Sequence, residues 1–195
     1  MALQLGFDGS VKLLDYSRES LLEAAQRGAQ TYSTLARSIE PGESEKEVYW
    51  RIVFAILSVH SPIGATFAAY RQVRLVYALR SRLPGQRRLV SILAAARASD
   101  GVILYAGQKA RFLSQFDADW RTDRTRFLRG DSDDNDWRLR LRANVLGLGL
   151  AKASFAVALC CPSTSDVCCI DTHIFQLLTG KPYRAIVSLL SLIHI

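Results

Sequence analysis

Breaks at Pro41-Gly42, Ser61-Pro62, Pro84-Gly85 and Ser99-Asp100-Gly101 cut this chain into stretches whose apolar residues recur at helical spacing. No run of alternating apolar and polar residues is long enough to suggest a sheet, so the spacing predicts an all-α protein. Ser17 caps a first helix to about Ser38, with Leu21, Leu22, Ala25, Ala29 and Tyr32 at helical intervals. Ser44 starts a second, with Glu45 and Glu47 suited to a helix N-terminus and Val48, Ile52, Val53, Ile56 and Leu57 as the buried stripe. Further helices are expected over roughly 63–83, 88–98 and 107–116, the last with Lys109 and Arg111 exposed. Asp131, Asp133, Asp134 and Asp136 read as a solvated loop, which lacks the glycine and closing glutamate of a calcium site.

With 195 residues, 49% of them hydrophobic, the chain is long enough to bury a core and too apolar to be disordered throughout. Its net charge of +7 suits a polyanionic partner, and equally a merely solubilising surface. There is no basic start followed by an apolar run, and no stretch approaches the roughly 20 apolar residues of a membrane span. The expectation is a soluble, cytoplasmic protein that does not engage a membrane. Cys160 with Cys161 and Cys168 with Cys169 are adjacent pairs, whereas metal sites space their thiols by about two to four residues, so buried thiols and no metal are expected.

Chemistry concentrates between residues 145 and 175. One helix ends near Asn144 and the next begins near Leu150, so Gly147 and Gly149 must form a very tight hairpin. Such a turn presents amides at the start of the second helix, where the dipole also favours an anion such as a DNA phosphate. A plain glycine turn between packed helices would carry the same residues. That second helix runs to about Cys160. Asp171 then stands before Thr172, His173, Ile174 and Phe175 at a helix start, where it serves either as an N-cap or as a chemical group.

Taken together, Val145-Leu146-Gly147-Leu148-Gly149 and Ile170-Asp171-Thr172-His173-Ile174 resemble the helix-hairpin-helix DNA glycosylase superfamily, which includes endonuclease III and the 8-oxoguanine glycosylases. That family's hairpin typically reads Leu-Pro-Gly-Val-Gly, and a helix and loop later comes Val-Asp-Thr-His-Val. Upstream, Ile56-Leu57-Ser58-Val59-His60 is similar to the family's Leu-Leu-Ser-Ala-Gln. Tyr105-Ala106-Gly107-Gln108-Lys109-Ala110 is similar to its Lys-Ala helix start. The resemblance implies an all-α, two-lobed fold with a helix-hairpin-helix and an incomplete second lobe. The implied partner is double-stranded DNA containing a damaged or mismatched base, bound by a monomer. Gly147, Leu148 and Gly149 would hold the backbone, and His60 would enter the gap left by the flipped base. Lys109 and Arg142, with Arg111, Arg138 and Arg140, would line the phosphate track, or else form a solvated face. Trp120, Trp137 and Tyr105 are expected in packing rather than base stacking.

By the same resemblance Asp171 is the catalytic carboxylate, stabilising positive charge on the sugar as the base leaves. Bifunctional members carry a lysine two residues after the second glycine, where this chain has Ala151. Lys152 comes one position later, about 100° further round the helix. Lys152 is therefore either a displaced nucleophile, giving lyase activity, or a bystander in a monofunctional enzyme that uses water. Leu146 stands where the family has proline. A non-catalytic binding module would keep the hairpin without needing Asp171.

The resemblance divides the chain into 1–43, an N-terminal segment and helix belonging to a discontinuous second lobe; 44–160, a barrel-like helical lobe ending in the hairpin; and 161–189, which begins the C-terminal part. Residues 190–195, Leu190-Ser191-Leu192-Ile193-His194-Ile195, look like an in-frame translation of a transposase mosaic-end adaptor. Some relatives bind an iron-sulfur cluster through cysteines beyond the aspartate-bearing helix. The cysteines here do not match that position, so no cofactor is expected in the chain present, and a cluster only in a missing C-terminal part.

Overall fold

The computed structural model describes residues 2–5, 11–14, 44–161, 165 and 167. The chain divides into two compact units, one comprising Met1–Glu40 with Ile170–Ile195 and the other Pro41–Cys169. In the first, β1 (Ala2–Leu5) pairs antiparallel with β2 (Val11–Leu14), in a register that sets Ala2 opposite Leu14 and Leu5 opposite Val11. Sequence patterning offers no strand here, because runs of four residues are too short to show a period of two. The helix expected from Ser17 to Ser38 and Asp171 with its helix lie outside the described residues.

The second unit is helical. Helix α1 (Glu45–Ser58) starts as expected, with Ser44 Oγ accepting the Glu47 amide, and Glu45 and Glu47 in its first turn. Yet it is not an amphipathic surface helix. Every residue from Val48 to Ser58 is buried, Arg51 included, because α1 runs through the middle of the unit and packs against α2 (Ile63–Arg80), α4 (Ala106–Thr122) and α6 (Leu150–Cys160). Tyr49 joins the core to α4 by stacking on Phe116 and donating its hydroxyl to the buried Asp117 carboxylate at 2.8 Å. Burial and that carboxylate hold the Tyr49 phenol well above its ordinary range.

Helix α3 (Gln86–Ala95) is shorter than its expected span. Arg97–Ala98 turns instead into β3, which pairs with β4 (Gly101–Val102) across the expected Ser99-Asp100-Gly101 turn. This ribbon has a structural task. Helix α2 begins after Pro62, which provides no side-chain cap, and Asp100 supplies one from the turn by accepting the Gly64 amide at 2.6 Å and the Ala65 amide at 3.1 Å.

Helix α4 runs past the expected end at Phe116, and Asp117, polar in sequence, is buried and accepts from Tyr49 and Arg121. A single 3-10 turn follows at Arg124–Arg126. The acidic run is a loop only in its first half: Asp131 lies in the turn, Asp133 caps α5 (Asp134–Asn144) by accepting the Asp136 amide at 2.7 Å, and Asp134 and Asp136 occupy its first turn. Trp137 is fully buried and donates Nε1–H to the Phe127 carbonyl at 2.8 Å. Among the described residues no helix is long and apolar enough to cross a membrane.

Candidate functional site

Helices α5 and α6 pack against each other and are joined by the glycine turn at the expected boundaries, Asn144 and Leu150. The two glycines differ. Gly147 has φ of +85°, a left-handed conformation, and a Cβ there would overlap the ring of Phe112 on α4. Gly149 is the N-cap of α6 with an ordinary φ of −73°, and its missing Cβ faces open space. Local structure thus requires a glycine at 147 and not at 149. Leu148 has a buried side chain, and its amide donates to the Val145 carbonyl at 3.2 Å within the turn. Gly149 offers α6 no side-chain cap, and the first turn carries no acidic residue, so the helix dipole at this end favours an anion.

Lys152 lies in that first turn, half-buried, with Nζ 5.1 Å from the centre of the Phe155 ring. Its charge is felt by Lys109. Far from lying exposed on its helix, Lys109 is 2% accessible and donates from Nζ to the Leu57 carbonyl at 2.7 Å and to Ser61 Oγ. Residue 109 sits on the side of α4 that faces α1, so an ammonium there can only satisfy itself at the C-terminal end of α1. Burial, and secondarily the nearby Lys152 ammonium, pull Lys109 down to about 8. A buried, internally bonded lysine cannot line a phosphate track.

His60 is exposed, in the left-handed region at φ 51°. Tyr105, expected in packing, is 63% exposed, also left-handed at φ 55°, with its ring 6.2 Å from that of His60 and nearly perpendicular. The loops carrying them are bolted together beneath. Ser61 Oγ accepts the Leu104 amide at 3.0 Å, Lys109 bridges Ser61 and Leu57, and Asp100 holds the first amides of α2. Leu104, 44% exposed beside Tyr105, completes an aromatic and apolar tip that sequence reading did not assign. The available signal was two large residues just outside the start of α4, where helical periodicity gives them no core position.

The arginines sort differently from expectation. Arg140 is committed to the carbonyls of Leu128 and Arg129 at 2.8 and 2.7 Å, a fastening between α5 and the preceding loop. Arg138 bonds Asn135 within its own helix, whereas Arg142 is exposed near the end of α5. Arg111 is exposed with its guanidinium 5.5 Å from the ring centre of Phe112, the residue that packs on Gly147. Cys160 and Cys161 are buried, as expected, and form no disulfide, and Cys168, Cys169 and Asp171 lie outside the described residues.

A scan against protein-family models and a search of curated proteins give no match. Among solved structures, the chain is similar to the 8-oxoguanine DNA glycosylase of Thermotoga maritima, with a TM-score of 0.60 and 18% sequence identity, over 83% of this chain and 74% of that one. At that identity the likeness is one of architecture. The chain is thus a predominantly helical protein with the fold of that DNA glycosylase.

Proposed function

We propose that this protein is a DNA base-excision glycosylase that breaks the N-glycosidic bond of a damaged or mismatched base flipped out of the duplex. The observation that carries the reading is the hairpin, which turns at Gly147 and brings the N-terminus of α6 at Gly149 together with the half-buried Lys152 in its first turn. The shared fold with a DNA glycosylase supports it, as does the motif around Asp171.

A base inside the stack is out of reach, so the nucleotide must rotate out of the duplex. The positive end of the α6 dipole attracts a backbone phosphate, and Gly149, with no side chain to intrude, lets the phosphate close in. His60 and Tyr105 enter the space left in the stack, their rings replacing the lost contacts of the flipped base. As the N-glycosidic bond breaks, positive charge builds on the sugar, and the Asp171 carboxylate stabilises it. Lys152 attacks C1′ as a neutral amine while the bond from C1′ to the base breaks; the base leaves with its electron pair and takes up a proton, the C1′–O4′ bond then opens as the amine proton passes to O4′, and the resulting Schiff base permits strand cleavage. Ala151, where bifunctional relatives carry lysine, favours a second reading in which water attacks and the product is an abasic site.

End-labelled duplexes with one lesion each, beginning with 8-oxoguanine, the base named for the Thermotoga maritima enzyme, test both readings. Strand scission without alkali, trapping of the protein on DNA by borohydride, and loss of both in Lys152→Gln are expected. Scission only after alkali would transfer the attack to water. Binding without processing of any lesion, unaltered in Asp171→Asn, would leave a DNA-binding module in place of an enzyme.

A further inference from the structure

Between Glu47 and Asp100 the chain holds eight arginines and no lysine, aspartate or glutamate. The +8 of that segment exceeds the +7 of the whole protein, so the remainder sums to −1. Arg51 is buried and Arg74 lies over the rings of Trp50 and Tyr70, but Arg71, Arg80, Arg82, Arg87, Arg88 and Arg97 are exposed. The ion pairs of the described residues engage Arg121, Arg124 and Arg129 and none of this set.

The charge peaks at one corner. Arg80 ends α2, Arg82 lies in the connection, and Arg87 and Arg88 fall in the first turn of α3, where Gly85 supplies no cap and no acidic residue is present. An open depression there is lined by Gly85, Gln86, Arg87, Arg88 and Val90. Four guanidinium groups within nine residues repel one another, and two of them oppose the positive end of a helix dipole. Left to itself this arrangement is unfavourable, and bound anions remove the penalty. Arginine is also the cation whose planar fork matches two phosphate oxygens at once, and its charge does not titrate away.

Position excludes the bases next to the lesion as the partner. The His60 loop precedes α2, whereas Arg80 closes it 18 residues later, a separation of about 27 Å at the helical rise. That length corresponds to about 8 base pairs of duplex. We infer that the Arg80–Arg88 corner is a second phosphate-binding surface, gripping DNA backbone remote from the flipped base without reading sequence. The inference rests on the reading of this protein as a DNA-binding glycosylase. The phosphates belong either to the flanking arm of the same duplex or to a second duplex.

The test is the slope of log Kobs against log salt concentration, measured by anisotropy on undamaged duplexes. One duplex extends well beyond about 8 base pairs on both sides of its centre and one does not. The proteins are wild type, the combined Arg80→Gln, Arg82→Gln, Arg87→Gln, Arg88→Gln variant, and Gly149→Asp in the hairpin, each with its circular dichroism checked. Removing two to four phosphate contacts should flatten the slope of the quadruple variant by roughly 2 to 4. Flattening on the long duplex alone assigns the phosphates to the flanking arm. Flattening on the short duplex as well, when it is in excess, assigns them to a second duplex. If the quadruple variant keeps the wild-type slope on both while Gly149→Asp binds more weakly, this inference falls and the glycosylase reading stands. If the wild type shows no salt-dependent binding, both fall.

Discussion

Lys109 donates from Nζ to the carbonyl oxygen of Leu57 at 2.7 Å, so a lysine that looks like a surface residue in sequence ties the end of α1 to the start of α4. This bond lies under the His60 and Tyr105 loops and beside Lys152. It joins the stability of the protein to the shape of its candidate site.

Its first consequence is a pH dependence of stability. In the unfolded chain Lys109 has its ordinary value of 10.5, and in the folded protein about 8. Below pH 8 both states are protonated and the folded state carries the full cost of a buried ammonium. Between about 8 and 10.5 the unfolded state binds more protons, so stability rises with pH, by on the order of 3 kcal/mol if the whole interval is crossed. Tyr49 acts in the opposite sense. Its phenol stays protonated when folded, so stability is lost above about pH 10, where the unfolded tyrosine ionises. Urea midpoints should therefore climb from pH 8 to about 10 and then turn down. Lys109→Met should abolish the climb; a variant that climbs as steeply as wild type would refute the assignment.

Gly147 and Gly149 should respond oppositely to substitution. Gly147→Ala combines a left-handed φ with overlap on Phe112 and is expected to cost about 2–4 kcal/mol in chemical denaturation. Gly149→Asp introduces a favoured N-cap into open space and should stabilise α6 by about 0.5 kcal/mol. The same carboxylate repels phosphate, so DNA affinity should fall roughly tenfold or more while stability improves. Weaker folding and unchanged binding would mean that the hairpin does not hold the backbone.

Asp100 should matter far more than an exposed turn residue normally does. Asp100→Ala leaves the first amides of α2 without their acceptor and should cost about 1–2 kcal/mol. Gly64→Ala would set a Cβ 2.6 Å from Asp100 Oδ1 and push the carboxylate off those amides. Because the two changes damage one interaction, their combined cost should be clearly less than the sum. Simple additivity of the urea midpoints would show that the cap does not bear on stability.

Tyr105 offers a separation of stability from binding. At 63% exposure it packs little, so Tyr105→Ala should leave the melting temperature within a degree or two. Loss of a stacking ring should weaken binding to lesion-bearing duplex by roughly tenfold. An unchanged dissociation constant in titrations of the variant would remove Tyr105 from the DNA interface.

The sequence by itself determined the helical class, the starts of α1 and α6, the turn at Ser99-Asp100-Gly101 and the glycine hairpin. Each depends on contacts within a few residues: Ser44 capping its own helix, a proline or glycine stopping one, apolar residues repeating at 3.6. The motif pair around Gly147 and Asp171 is linear and so can be read in the sequence, though Asp171 lies outside the described residues. Only the tertiary structure decided that Lys109 is interior, that Leu148 is buried, that Arg140 is committed to carbonyls and that Tyr105 is exposed beside His60. It also separated two glycines that look equivalent in sequence, since only Gly147 meets Phe112, 35 positions earlier in the chain. The physical reason is common to all of these. Whether a side chain is core, fastening or free depends on which distant element packs over it. Local periodicity carries no information about a partner 43 to 52 residues away, as Ser61 is from Leu104 and Leu57 from Lys109.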